Sequence, residues 1–459
     1  MQTRRRFLGQ MALASLAFPA VVRARNLNSK LQVVSVGCDG KGLDDIQEIG
    51  SHPRLKFVGF CEVDAHRTAR ALQRFPGTPT FADFREMYAQ LGDGFDAAVV
   101  STPDHMHALP ALRAMRLGKH VYLQKPLAHS VAEARLLRLT AERTGVRTQM
   151  GNQIHSHMAY RTAVKLIRDG AIGKVLGVHS WLSNEGNGYT KRTTLPPTGP
   201  VPAGLSWDLW LGGAPARPYA PEVYHPFNWR DWIDFGNGTL GDFGCHLLDP
   251  VFNALQLTAP LSVQAECVGV NAQTWAKAET VTFTFPGTAQ TAQPTIPVTW
   301  YDGGRQPDLA LARMPLGRKL PTNGSLFIGE KGTMVLPHVA PPSLYPEETF
   351  GVNLSPGEQA RRARRLTDGE KDDRKVAPIT YVDSRNHYHD WVDAALGGPE
   401  TTANFAYAGP LTEAVLLGTI AARCPGEKLV WDAPAMRIPN HATAQAMLSL
   451  QYRSGWEIQ

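Results

Sequence analysis

Cysteine is scarce in this chain. Its five residues, Cys38, Cys61, Cys245, Cys267 and Cys424, are odd in number, scattered, and never in a C-x-x-C spacing. Neither a disulfide framework nor a zinc site is expected, and no metal is assigned. Cys38 and Cys61 fall at the ends of predicted strands and read as small core residues. Long hydrophobic runs are missing too. The apolar stretch near the N-terminus is much shorter than the roughly 20 residues a membrane span needs, so no span is expected. Basic runs with interleaved aromatics, the footprint of nucleic-acid binding, are absent apart from "RRARR" at Arg361 to Arg365. That run sits in a polar stretch bounded by proline and glycine and reads as a solvated loop or helix face. No internal repeat or long low-complexity tract is present.

What is there begins with a leader. "TRRRFLGQMALASLAFPAVVRA" has paired arginines, Phe7-Leu8, a modest apolar run, and the small-residue cleavage pattern Val22-Arg23-Ala24. Residues 1–24 therefore read as an export signal, and the Thr3-to-Leu8 order resembles the twin-arginine type. The expected location is periplasmic or otherwise exported. Such export carries folded proteins, which suits an enzyme that binds its cofactor before leaving the cytoplasm. Without the four arginines of the leader, the formal charge of +6 falls to +2. A chain of 459 residues has room for two or three domains of ~150 residues.

After the leader, short apolar strands alternate with amphipathic helices. "LQVVSVG", "LKFVGFCEVD", "DAAVVSTP" and "KHVYLQ" are the strands, and "VRTQMGNQ" closes the series. This alternation predicts an α/β fold whose parallel sheet is covered on both faces. Ligands bind such sheets at the carboxyl ends of the strands. The first turn, "GCDGKG", places Gly37 and Gly42 at the first and third positions of a dinucleotide fingerprint. Asp39 takes the middle position, where it adds bulk and negative charge beside the pyrophosphate. Gly40 and the helix N-terminus offer N–H groups, and Lys41 offers a cation. Glu62, twenty positions past Gly42, is placed to hold ribose hydroxyls and favours NAD over NADP. Further strand ends supply Ser101, Thr102, His105 and His107, then Gln124 and Lys125, then Asn152, Gln153 and His155. His105 and His107 open a helix, so capping or phosphate-side contacts account for either.

From "VSTPDHMHALPALRAMRLGKHVYLQKPL" onward, through "MGNQIHSHMAY", "WRDWIDFGNGTLGDFGCHLLDP" and "GSLFIGEKGTMVLPH", the sequence resembles the Gfo/Idh/MocA oxidoreductases. The resemblance runs from Leu31 to the C-terminus. It implies an N-terminal Rossmann domain, taken as residues 27–150, and an α/β domain with an open, mostly antiparallel sheet, taken as 151–435, before a segment at 436–459. It also implies bound NAD(H), a sugar-type small-molecule substrate, and self-association as a homo-oligomer, dimer or tetramer. The family's catalytic lysine falls on Lys125, and its acid and histidine fall on Asp242 and His246. Independently, Asp242 and His246 are spaced i, i+4 and so share a helix face.

Two residues depart from the family pattern. Asp39 replaces a glycine, and Gln124 replaces the glutamate before the lysine. Gln124→Glu is expected to leave the fold intact and alter the pH profile.

Hydride removal from a sugar carbon needs a base, and His246 suits neutral operation. Asp242 would orient the imidazole or hold a neighbouring hydroxyl, and Lys125 would bond the reacting oxygen. Gln153, His155, Trp229 and Arg230 are candidate sugar contacts. The dense aromatics from Trp207 to Trp232 could stack on sugar faces, although core packing accounts for most of them. The segment from Pro286 to Val382 reads as loops and sheet edges. The expected activity is oxidation of a sugar, polyol or glycoside hydroxyl by tightly bound NAD. One alternative is an NAD-requiring glycosidase or lyase that oxidises transiently and eliminates. Another is a carbohydrate-binding protein that has lost cofactor competence.

Overall fold

The computed structural model describes residues 30–183 and 194–458, so the leader at 1–24 lies outside the described residues. The first half builds β1 (Leu31–Val36), α1 (Lys41–Gly50), β2 (Leu55–Cys61), α2 (Ala69–Arg74), β3 (Thr80–Phe81), α3 (Phe84–Leu91), β4 (Ala97–Val100), α4 (Ala108–Arg116), β5 (His120–Leu123), α5 (Val131–Thr144) and β6 (Thr148–Met150). Strands such as Ala97–Val100 are buried at every residue, as a sheet covered on both faces requires. All pairings are parallel, in the order β3-β2-β1-β4-β5-β6. The order reverses between β1 and β4, which opens a crevice beyond their carboxyl ends. Strand β3 has only two residues, too short for a periodic signal, and the sequence reading missed it along with α3.

The second half holds α6 (Met158–Arg168), β7 (Val175–Leu182), α7 (Trp207–Leu211), α8 (Gly238–Leu247), α9 (Asp249–Leu255), β8 (Ser262–Val268), β9 (Ala278–Pro286), β10 (Thr295–Tyr301), β11 (Asn323–Gly329), β12 (Thr333–Pro337), β13 (Ser343–Tyr345), α10 (Glu347–Phe350), α11 (Pro356–Thr367), α12 (His387–Ala395), α13 (Phe405–Ala422) and β14 (Lys428–Val430). Its sheet runs β13-β12-β11-β7-β10-β9-β8-β14, and every pairing is antiparallel except β7 with β10. Along β9 buried and half-buried residues alternate. One face packs on helices, and the other stays partly open.

The expectation of loops and edges over Pro286 to Val382 holds for β13, which is the sheet's edge strand, and for the long connections, but not for the centre of the sheet. The stretch supplies β10 and β11, which flank β7 in the middle of the sheet. Pro297 inside β10 and the glycines that bound β11 masked the strand pattern. The "RRARR" run lies on α11, a helix without a buried residue and capped reciprocally by Ser355 and Glu358.

Helix α13 is long and apolar enough to cross a membrane by length and composition, the one such helix among the described residues, yet 83% of it is buried in the protein. It packs on α5 of the first half and on α8 and β8 of the second. Arg135 and Glu413 tie α5 to α13 through a pair at 2.5 Å. Two glycines set the approach of α13 to α8. A Cβ at Gly418 would stand 2.6 Å from Leu240, and one at Gly244 would stand 3.3 Å from Val415. Gly418→Val should therefore push α8 outward and cost about 1–3 kcal/mol of stability, read as a lowered Tm in thermal unfolding.

Candidate active site

A cavity of about 650 Å³ runs along the carboxyl ends of the parallel strands, from Phe84 past the first turn to α8. The first turn is shaped for close approach of a ligand. Gly37 has φ +90°, and a Cβ there would meet the Ser101 carbonyl oxygen at 2.4 Å. A Cβ at Gly42 would meet the Gly37 carbonyl oxygen at 2.6 Å. Gly40, with φ +54°, is the N-cap of α1, so the free N–H groups of that helix open onto the cleft. Glu62 is half-buried just past the end of β2, and its carboxylate accepts from the N–H groups of Cys38 at 2.9 Å and Asp64 at 3.2 Å. Burial pushes its carboxyl upward against those two bonds. Thr102 Oγ1 and Gln153 Oε1 are buried without a hydrogen-bond partner, and both residues line the cleft. Backbone cradle, acid and orphaned polar atoms together fit a dinucleotide.

Neither departure blocks this cleft. Asp39 pairs with Arg67 at 3.1 Å and Arg70 at 3.6 Å, so its charge beside the pyrophosphate position is opposed by two guanidinium groups. Gln124 does not reach Lys125 as a partner. Its Nε2 donates at 2.8 Å to Asp45 Oδ2, which also accepts from Ser101 Oγ at 2.7 Å. Asp45 Oδ1 accepts from Lys41 Nζ at 2.5 Å, and Lys41 also reaches the Tyr388 hydroxyl at 3.1 Å. Lys41 and Ser101 thus line the cleft with their polar ends committed to a buried network. Burial pushes the Asp45 carboxyl upward while Lys41 pulls it down. The carboxylate missing at position 124 is present next door at Asp45.

Lys125 follows β5 and reaches α8. Its Nζ donates to Asp242 Oδ1 at 2.6 Å and to the Asp242 carbonyl at 3.0 Å. Arg230 Nε lies 3.5 Å from the same carboxylate oxygen. The Arg230 guanidinium sits 4.4 Å from the Phe227 ring and 4.2 Å from the Trp229 ring.

His246, one turn after Asp242, is buried, and its Nδ1 lies 2.5 Å from Asn152 Oδ1. Asn152 Nδ2 donates to the Cys245 carbonyl at 2.8 Å, which fixes its oxygen toward the ring. The imidazole therefore carries its proton on Nδ1 and keeps the Nε2 lone pair. Burial, then Lys125 and His338, hold its pKa well below the usual histidine value, so it is neutral at neutral pH.

Several expected contacts are placed differently. Asn152, read as a cofactor residue, is fully buried and orients His246; Asp242, expected to orient that ring, engages Lys125 instead. His155, read as a sugar contact, points away from the cleft. Its Nδ1 bonds Asp249 at 2.9 Å, and the ring lines a separate cavity with Arg161 and Tyr407. The short 3₁₀ turn Gln153–Ser156 sends Gln153 to the cleft and His155 to the opposite side. His107 lines the cleft, but its ring spans the carbonyls of Pro126 and Thr102 at 2.6 and 2.8 Å. Burial lowers its pKa to about 4. His105 is likewise spent on the carbonyls of Phe235 and Trp210. Of the aromatics, Trp210, Phe227 and Trp229 line the cleft; Trp232 and Phe235 are fully buried in a local core.

Asp104 was missed. It lines the cleft within the "STPDHMH" stretch and accepts from Asn237 N at 3.1 Å and Asn237 Nδ2 at 3.0 Å. Burial, then the Asp242 charge, raises its pKa to about 6. His338 was also missed: it faces His246 with ring centres 5.8 Å apart and bonds the Tyr160 hydroxyl at 2.8 Å.

Models of one oxidoreductase family match both halves, the NAD-binding Rossmann fold over residues 31–152 and the C-terminal alpha/beta domain over 159–292. The chain belongs to the Gfo/Idh/MocA oxidoreductase family. As a member, it carries that family's NAD-binding domain on the glycine turn described above. An inositol 2-dehydrogenase of Corynebacterium glutamicum is 25% identical over 281 residues, covering 60% of this chain and 78% of the relative. A 2,7-anhydro-N-acetylneuraminate hydratase of Mediterraneibacter gnavus is 34% identical over 98 residues, 21% of this chain and 26% of the hydratase. Some matches are thus short, spanning 26% to 36% of the relative's length. The WlbA dehydrogenase of Chromobacterium violaceum, solved with NADH and UDP-GlcNAcA, shares the fold. Its TM-score is 0.61 at 14% identity, and the match covers 90% of this chain and 99% of that one. A Gfo/Idh/MocA fold with an open, cradled cleft leaves the cofactor-incompetent alternative without its grounds at Asp39 and Gln124.

The Asp45 network adds a stability cost to the expectation for Gln124→Glu. A glutamate would set a second buried carboxylate against Asp45, so the variant should lose about 2 kcal/mol at pH 8 and recover in acid as one carboxyl takes a proton. Thermal unfolding at the two pH values checks this. Asp104→Asn tests the raised carboxyl. Both Asn237 donors use one Asp104 oxygen, which an amide can supply. Because the folded-state pKa lies above the unfolded value, wild-type stability falls as pH rises from about 4 to 6, by on the order of 2–3 kcal/mol. Urea unfolding of Asp104→Asn should lack that slope.

Proposed function

We propose that this protein oxidises a hydroxyl of a sugar, polyol or glycoside, using NAD that stays bound through the catalytic cycle. The observation that carries the proposal is the meeting of Lys125, Asp242 and a neutral His246 on the same cleft as the glycine turn. His246 Nε2 takes the hydroxyl proton. Lys125 donates to the developing alkoxide, held in place by Asp242. The nicotinamide, when bound, supplies the hydride acceptor. Arg230, Trp229 and Phe227 form the outer wall, where a polar ring with an apolar face can rest. Relatives named for inositol and glucose-6-phosphate oxidation support a polyhydroxy substrate.

The twin-arginine-like leader supports export to the periplasm. There no free NAD pool is at hand, which favours a retained cofactor. The open face of the eight-stranded sheet supports self-association as a dimer or tetramer.

A redox-neutral reading has its own support in the hydratase relative. Transient oxidation acidifies the neighbouring C–H, elimination follows, and the hydride returns. The two readings part on net chemistry: NADH accumulating with an oxidised sugar marks a dehydrogenase, and cleavage without net NADH marks the redox-neutral cycle.

His246→Asn should lower turnover by at least about 100-fold while bound NAD, weighed by mass spectrometry, is unchanged. Unimpaired turnover in that variant would remove the base assigned here. Because the His246 pKa is depressed, the acid limb of kcat/KM should fall below the ordinary histidine range near 6.5. Activity should then persist as pH drops through that value.

A further inference from the structure

The cleft continues past the glycine turn to a far end walled by Ala82, Asp83 and Phe84, where β3 passes into α3, and by Trp456. In a parallel nucleotide-binding sheet, this side, beyond the acid that ends β2, receives the adenosine half of a dinucleotide. Trp456 belongs to neither domain's sheet. It arrives from the segment after residue 446, and it is buried.

The segment is fastened on both sides of the cleft. Arg453 bonds Asp208 Oδ1 at 2.6 Å and the Gly212 carbonyl at 2.8 Å, at the two ends of α7. The Arg453 N–H adds a bond to the Gly213 carbonyl at 3.1 Å. On the opposite side, the Arg85 guanidinium lies 4.0 Å from the Trp456 ring and donates to the Gly455 carbonyl at 3.4 Å. Phe84 and Trp456 have ring centres 6.4 Å apart. These two residues also border a second cavity of about 300 Å³ behind them, so the indole is a partition between two spaces.

We propose that Trp456 is the wall of the adenine site, and that the segment 447–458 closes the far end of the cleft so that bound dinucleotide leaves slowly. The proposal rests on the NAD-dependent reading above and gives it a physical means of retention. An aromatic wall offers the planar base a large apolar contact at little entropic cost. Its anchors on α3 and α7 must part before the adenosine half can withdraw.

The test compares Trp456→Ala with wild type, both stripped of nucleotide, by calorimetric titration with NAD, ADP-ribose and nicotinamide mononucleotide. The variant should bind NAD and ADP-ribose about tenfold more weakly and release NADH faster in a stopped-flow chase. Nicotinamide mononucleotide, which lacks adenosine, should bind both proteins alike. Equal affinity of variant and wild type for ADP-ribose would overturn the proposal. Equal weakening for all three probes would overturn it too, because that marks general loosening. If Trp456→Ala unfolds, Arg453→Gln supplies the same comparison, since it frees the segment without touching the cleft. A wild-type protein that binds none of the three probes would sink the functional reading itself, a distinct result.

Discussion

The bond between the Lys125 ammonium and the Asp242 carboxylate is the constraint on which the site depends. It joins the end of a parallel strand to a helix of the other domain, 117 positions later in the chain. Both side chains are mostly buried, at 14% and 12% exposure. Breaking such a pair from one side leaves a charge stranded in a poor solvent, which costs far more than the pair gains over neutral packing. The pair therefore fixes where the ammonium stands more than it stabilises the fold. With that position fixed, His246 one turn along the same helix comes to the cleft too.

Much of this was readable from residue order. Apolar four-residue runs such as Ala97–Val100, set between amphipathic helices, announce buried parallel strands, and strand ends announce ligand chemistry. Lys125, Asp242 and His246 stood out through the resemblance to the family's motifs, with the neighbouring proline and glycines and the i, i+4 spacing of the last two in accord. The partners of these residues were not readable. Asn152 becomes the orienting group of His246 only because β6 ends opposite α8, a juxtaposition across 94 positions. Asp45 had a local clue in its i, i+4 spacing from Lys41, but its bond to Gln124 needed the fold. His155 and Gln153 show the limit most clearly: two residues apart in one turn, they face different cavities.

The two departures from the family pattern illustrate how a site tolerates substitution. At Asp39 an unfavourable charge is answered by Arg67 and Arg70 from the next helical stretch. At Gln124 a lost carboxylate is answered by Asp45 within hydrogen-bond distance. In both cases the local electrostatic sum, more than the identity of one residue, is kept near what a nucleotide requires.

Helix α13 has a mechanical meaning beyond its burial. It is wedged between the two halves, touching α5 on one side and α8 on the other, and an arginine–glutamate pair pins it. Two bodies that share a rigid beam cannot rock apart about a hinge. Traffic in and out of the cleft must then pass by the rearrangement of small pieces at its ends, around Phe227, which is 46% exposed, and at the segment that carries Trp456. The beam holds the middle of the cleft, and what can adjust lies at its ends.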